Sequence, residues 1–75
     1  MKIRINKFLP IRRPGTGLIL LVNQKDHPRI IDACRGDILQ VDNKDYQILS
    51  IEMHQTLTHP PITGDNYGFI VRRMR

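Results

Sequence analysis

The chain offers few residues whose types and spacing could carry out catalysis. Its three histidines, His27, His54 and His59, are too scattered for the HExxH or zinc-finger spacings that bind zinc. Cys34 is the single cysteine, which rules out an intrachain disulfide and a cluster of thiolate ligands. No glycine is followed by lysine, so the phosphate-binding GxxxxGK[ST] loop is absent. We therefore expect no metal and no cofactor.

Nucleophilic catalysis remains a minor alternative. Cys34 with a histidine, or Ser50, could in principle supply a nucleophile and its base, but neither stands in a recognisable nucleophile elbow. Cys34 precedes the turn sequence Arg-Gly-Asp, where a small buried residue is the more common interpretation. We predict that the protein is not an enzyme.

Length and composition favour one small domain. The 75 residues are 40% apolar and 25% charged, which is ordinary for a folded protein. A chain of this size buries only about 60% of the surface that it exposes when unfolded, so a deep catalytic cleft is not expected. The N-terminus lacks a signal-peptide core, and no apolar run approaches the roughly 20 residues of a membrane span. We expect a single domain over residues 1–75, cytoplasmic and without a membrane partner.

The net charge of +5 is concentrated at the two ends of the chain. If the first and last strands were neighbours, their basic residues would form one face that attracts phosphate groups. The alternative is that these charges only maintain solubility and protect edge strands. The residues concerned are Lys2, Arg4, Lys7, Arg12, Arg13, Arg72, Arg73 and Arg75.

Short apolar or alternating segments, separated by Gly, Pro, Asn and Asp, predict an all-β fold. About six such segments favour a small closed antiparallel β-barrel. The predicted strands are Lys2–Lys7, Leu18–Val22, Arg29–Ala33, Ile38–Val41, Tyr46–Met53 and Tyr67–Met74. We predict a hairpin turn at 42–45, a loop at 56–65 and a Gly64-Asp65-Asn66 turn. The predicted core contains Ile19, Leu21, Ile38, Leu49, Ile51 and Ile70.

The stretch from Ile51 to Arg72, IEMHQTLTHPPITGDNYGFIVR, carries an EMH strand end, a loop and a GDN-x-G strand entry. It resembles the closing hairpin of the β-barrel second domain of elongation factor Tu and related translational GTPases. Upstream, the PGTG sequence at 14–17 looks like the family's strand entry, and IIDACRGDILQV at 30–41 resembles its next strand pair. The resemblance covers about residues 14–73.

In that family the barrel receives the aminoacylated end of transfer RNA. The resemblance implies that Glu52 lies beside the terminal adenosine, Asn66 near the aminoacyl group and Ile70 against the adenine. This sequence departs from the family at Gln55, at Leu20 and in the His-Pro-Pro of the loop, and the 75 residues contain no GTPase domain. The expected RNA-binding residues are Glu52, Asn66, Ile70, His54, Arg12, Arg13, Arg72, Arg73 and Arg75.

Two functions remain open from the sequence. The first is a non-enzymatic module that binds transfer or ribosomal RNA through its basic face. The second is a protein-interaction barrel that acts as a subunit or a homo-oligomer without a role in RNA binding. Salt dependence distinguishes them, because RNA binding through Lys and Arg weakens steeply as salt rises.

Overall fold

Six strands and one short 3₁₀ helix form the described part of the protein. The computed structural model describes residues 1–56 and 62–74, with side chains described for 1–52 and 66–74. The 3₁₀ helix is Pro28–Asp32. The strands are β1 Lys2–Arg4, β2 Leu9–Arg13, β3 Gly17–Asn23, β4 Ile38–Val41, β5 Lys44–Thr56 and β6 Ile62–Arg73.

All six strands belong to one sheet, in the order β1-β4-β5-β6-β3-β2. The predicted all-β class is confirmed, but the closed antiparallel barrel is wrong in two respects. β1 pairs with β4 in parallel, and the edge strands β1 and β2 do not pair with each other in the described chain. The two edge strands could form few backbone hydrogen bonds with each other, because β1 has three residues and Pro10 on β2 lacks a backbone N–H.

The hydrophobic core lies on one face of the sheet, here called the inner face. Strands β1, β3, β4, β5 and β6 and the 3₁₀ helix all contribute to it, which explains how so short a chain assembles a core. The largest fully buried side chain is Phe69, in the middle of β6. The core residues are Ile3, Ile5, Leu20, Val22, Ile30, Leu39, Val41, Ile48, Phe69 and Val71.

The opposite, outer face carries several residues that the sequence assigned to the core. The predicted burial of Ile19 is confirmed, because it is fully buried on this face between Ile11 on β2 and Ile70 on β6. Leu21 and Ile70 are only half-buried. The run LILLV in β3 is apolar throughout, so it has no alternation to distinguish the two faces. Ile38, on β4, is also half-buried.

A β-bulge in β5 moves one predicted core residue to the surface. Ile48 pairs with Val71 and Ser50 with Ile70, which leaves Leu49 as the extra residue. Leu49 is 41% exposed, so its assignment to the core is wrong. Ile51, beyond the bulge, packs against the core as predicted.

Two tight turns fix the sheet's register. Asp42 and Asn43 both have positive φ (50° and 65°) between paired residues of β4 and β5, as in a type I′ hairpin, which confirms the predicted turn. Between β2 and β3, the Thr16 N–H donates to the Arg13 carbonyl at 3.1 Å, and Gly15 takes φ +80° after Pro14. Strand β2 was not predicted from the sequence, because Pro10 lies inside it.

The predicted strand over 29–33 is wrong, since these residues fall largely within the 3₁₀ helix. Pro28 occupies its first turn, and Ala33 N–H donates to the Ile30 carbonyl at 3.1 Å. Ile30 is buried whereas Ile31 is 56% exposed, so only one of the two adjacent isoleucines serves the core. Cys34, expected to be buried, is exposed.

The predicted loop and turn near the end of the chain are also wrong where the structure describes them. Thr56 belongs to β5 and pairs with Ile62, so strand pairing continues into the region assigned to the loop. The Gly64–Asn66 segment lies within β6, and Asn66 pairs with both His54 and Asn23. Residues 57–61 of the predicted loop lie outside the described residues. Within the described parts, no helix has the length and apolar character of a membrane span.

Candidate nucleic-acid interface

The outer face brings together the three residues that the resemblance singles out. Asn66, Gly68 and Ile70 alternate along β6 and therefore share one face. Glu52 on β5 lies directly opposite Gly68, between the rows of Asn66 and Ile70. The opposite face of β5 and β6 packs against the core, because Phe69 and its partner Ile51 point in that direction.

The polar members of this group already have partners on neighbouring strands. The Asn23 Nδ2 on β3 donates to the Asn66 Oδ1 at 3.1 Å. The Glu52 carboxylate receives two contacts from the Arg13 guanidinium, Nη1 to Oε1 and Nη2 to Oε2, both at 3.4 Å. Both contacts are long and partly exposed, so a ligand could replace them at small cost.

A depression of about 250 Å³ lies beside Asn66. Leu9 and Leu21 supply apolar lining, and Asn23 and Asn66 supply amide groups. At its border, Lys7 Nζ lies 3.8 Å from an Asp26 carboxylate oxygen. Apolar walls with a few amide groups suit a flat ring whose edge forms hydrogen bonds.

Four arginines gather at one end of the sheet. Strands β2 and β6 are both antiparallel to β3, so they run in the same direction. Leu18, near the start of β3, pairs with Arg12 on one side and Val71 on the other. The last residues of β2 and β6 therefore lie at the same end of the sheet. We call this group the basic cluster, which consists of Arg12, Arg13, Arg72 and Arg73.

The members of the basic cluster differ in how they are paired. Arg13 contacts Glu52, and Arg72 Nη2 donates to the Gln47 Oε1 at 2.9 Å. Arg12 and Arg73 are exposed and form no ion pair with any described residue. Exposed guanidinium groups without a counter-charge are suited to phosphate oxygens.

The rest of the predicted basic face is not assembled in this way. Strands β4 and β5 separate β1 from β6, so the first and last strands are not neighbours. Lys2 on β1 instead lies 3.1 Å from an Asp45 oxygen. The side chain of His54 and the whole of Arg75 lie outside the described residues, and only the backbone pairing of His54 with Asn66 is seen.

Sequence reasoning missed two residues beside this site. Asn23 reads as a turn residue after LILLV, yet it ends β3 and holds Asn66. Gln47 lies on an alternating strand without any signal, yet it orients Arg72. Both act through cross-strand pairing, which a sequence reveals only once the register is known.

Three comparisons with known proteins found no match to this chain. Neither a protein-family model, nor a curated protein, nor a solved structure matches it. In the described part of the chain, no three His, Cys, Asp or Glu side chains lie close enough to hold a metal ion.

Proposed function

We propose that this protein is a non-enzymatic RNA-binding module, similar in its use of a β-sheet surface to the second domain of elongation factor Tu. The observation that supports this proposal most is that Glu52, Asn66 and Ile70 share the outer face. The basic cluster lies at one end of the same sheet. The ligand would be the end of a transfer RNA or a segment of ribosomal RNA, in the cytoplasm.

The basic cluster would supply affinity. Arg12 and Arg73, which lack described ion-pair partners, would contact phosphate groups directly. Such contacts fix the position of RNA on a protein but do not distinguish its sequence. Each phosphate contact with single-stranded RNA contributes about 0.7 to the slope of log affinity against log salt.

The outer face would supply discrimination of the RNA end. The Glu52 carboxylate can accept from ribose hydroxyls, and the Asn66 amide can pair with a carbonyl or an amine. The half-buried Ile70 presents a branched apolar surface against which a base can pack. Binding would require Glu52 to exchange Arg13 for the ribose, which the long 3.4 Å contacts favour.

One observation supports the alternative of a protein-interaction module. On the outer face of the edge strand β2, Leu9 is 57% and Ile11 36% exposed. Ile11 extends the apolar row of Ile19 and Ile70 to the edge of the sheet, and Leu9 lies beside Leu21. A partner subunit or a second copy could cover both side chains there.

Titration of a fluorescent single-stranded RNA, followed by anisotropy at several salt concentrations, tests the RNA proposal. Replacing Arg72 and Arg73 together with alanine should weaken binding to every RNA and lower the salt slope by up to about 1.4, which is two phosphate contacts. The matched control replaces Arg4 on β1 and Arg29 in the 3₁₀ helix with alanine and removes the same charge. Equal losses in both double variants would refute a defined site.

Replacing Glu52 or Asn66 should have a different effect. Because these residues would contact the RNA end and not phosphate, Glu52→Gln and Asn66→Ala should reduce discrimination between an RNA with a free 3′ ribose and one with a blocked 3′ end. The salt slope should stay nearly constant. A change in slope with unchanged discrimination would contradict this assignment.

A further inference from the structure

A groove on the inner face opens between the edge strand β2 and the turn that joins β4 to β5. Its volume is about 440 Å³, within the range of ligand-binding pockets. We call it the seam groove. Its apolar lining includes Phe8, Leu18, Leu20 and Tyr46, and Arg12 and Lys44 stand among its polar residues on opposite sides. Two of these residues are shared with features described above, because Arg12 also belongs to the basic cluster and Phe8 also lines the depression beside Asn66.

The edge of β2 beside the groove presents free backbone groups. β2 pairs only with β3 in the described chain. The Arg13 carbonyl accepts from Thr16 N–H and so points towards β3. Backbone direction alternates along a strand, which means that Ile11 also faces β3 while Pro10 and Arg12 face the free edge. Arg12 thus offers both a donor and an acceptor there.

The same alternation places the side chains. Pro10 and Arg12 both line the seam groove, so the strand that carries the free backbone groups also forms one wall of the groove. A further strand added at this edge would have every second side chain directed to the groove. Pro10 lacks an N–H, which limits the bonds of such a strand to its carbonyl and to both groups of Arg12.

Charge indicates which strand would fit. Arg12 and Lys44 are exposed and form no ion pair with a described residue, whereas Asp42 is the single acidic residue among the described lining. The apolar lining supplies few groups that could satisfy the polar edge of a nucleobase, and it suits an aliphatic or aromatic side chain.

From the free edge, the apolar groove and the two cations, we propose that the seam groove binds an extended peptide of a partner protein. That peptide adds a strand to β2 and places an apolar side chain in the groove. An acidic side chain two residues away contacts Arg12 and Lys44. This site shares Arg12 with the basic cluster, but it does not involve Glu52, Asn66 or Ile70 and does not require that the outer face binds RNA.

A capped octapeptide with leucine and glutamate two positions apart, in a threonine background, is the probe. Amide chemical shifts and hydrogen exchange of the ¹⁵N-labelled protein are measured as the peptide is added. The peptide should shift the amides of Val41 and Tyr46, and exchange of the Arg12 N–H should slow at least tenfold. A copy of the peptide with N-methylated backbone should lose both effects, because it cannot form the strand hydrogen bonds.

Charge variants provide the second arm. Arg12→Glu with Lys44→Glu should weaken peptide binding at least tenfold, whereas Arg4→Glu with Arg29→Glu, which alters net charge equally, should leave it nearly unchanged. A peptide carrying lysine in place of glutamate should bind the Arg12→Glu, Lys44→Glu variant better than the wild type. Equal binding of the methylated and unmethylated peptides would overturn the proposal.

Two other occupants would also overturn the proposal. If a short RNA protects the Arg12 amide and the peptide does not, the groove belongs to the RNA site. If Arg12 is protected without peptide and the protection grows with protein concentration, the edge pairs with a second copy of this chain. Neither result would decide whether RNA binds the outer face, since that is read from the Arg72 and Arg73 variants.

Discussion

Arg13 on β2 reaches Glu52 on β5 across the two strands that lie between them. Both guanidinium contacts are 3.4 Å long, and the two side chains are 43% and 36% exposed. The pair links the edge strand to the long β5–β6 hairpin, on the face where Ile19 is fully buried. It also neutralises the carboxylate that the RNA proposal requires. The coupling energy between Arg13 and Glu52 therefore affects both the stability of the fold and the proposed RNA binding.

We expect the Arg13–Glu52 pair to contribute little to stability. Partly exposed ion pairs are screened by water and salt, so a double-mutant cycle with Arg13→Ala and Glu52→Ala should give a coupling energy below about 1 kcal/mol. Urea unfolding of the four proteins measures it. A coupling energy above about 2 kcal/mol would mean that RNA could not displace Arg13 cheaply.

Truncation of two adjacent residues at the β5 bulge should reduce stability by very different amounts. Ile48 is 1% exposed and Leu49 is 41% exposed. Ile48→Ala should therefore cost on the order of 2–5 kcal/mol, enough to unfold a domain of this size. Leu49→Ala should cost less than about 1 kcal/mol. Thermal unfolding of the two variants compares them, and a larger loss for Leu49→Ala would contradict the bulge.

The β4–β5 turn should tolerate glycine but not a β-branched residue. Asn43 has φ 65°, a region that glycine adopts freely and that valine adopts with strain. Asn43→Val should destabilise the protein by about 1–3 kcal/mol, and Asn43→Gly should be neutral or slightly stabilising. Chemical denaturation of both variants tests this. Equal stability of the two would show that the turn is not type I′.

Asp37 should make stability depend on pH in the acid range. A hydrogen bond from the Cys34 N–H, followed by the N-terminal ammonium of Met1, lowers the pKa of Asp37 below its ordinary value of 3.8. A lowered pKa contributes stability that is complete above the unfolded value and is lost as pH falls through the folded value. Asp37→Asn should thus be less stable than the wild type at neutral pH, and the two should converge in acid.

The control for that comparison is Asp32→Asn, which removes the same charge from an exposed residue of the 3₁₀ helix. Urea unfolding at neutral pH and near pH 2 measures all three proteins. If the stability difference between wild type and Asp37→Asn persists unchanged in acid, it does not come from the ionised carboxylate of Asp37.

Local sequence patterns predicted those parts of the fold that local chemistry determines. The β4 strand and the Asp-Asn turn follow from alternation and from residues that tolerate positive φ. The bulge at Leu49 and the parallel pairing of β1 depend on contacts between distant parts of the chain, which no local pattern contains. Pro10 indicated a break in place of strand β2. Proline is tolerated in an edge strand, but the edge position of β2 is known only once the whole sheet is known.

The candidate site shows the same division. The resemblance singled out Glu52, Asn66 and Ile70, but the sequence predicted Asn66 in a turn, and its shared face with Ile70 follows only from the longer β6 strand. The gathering of the four arginines depends on β2 and β6 both flanking β3, which the sequence did not reveal. The seam groove likewise arises from an open sheet, whereas the sequence favoured a closed one.

RNA binding by this protein is tested by titrating labelled transfer RNA with the wild-type protein at two salt concentrations. We predict saturable binding at low salt that weakens steeply at the higher salt concentration, since several arginines would replace counterions on the phosphates. The same titration with the Arg72→Ala, Arg73→Ala variant should show a smaller difference between the two conditions. No saturable binding even at low salt would contradict the proposal and favour a protein partner.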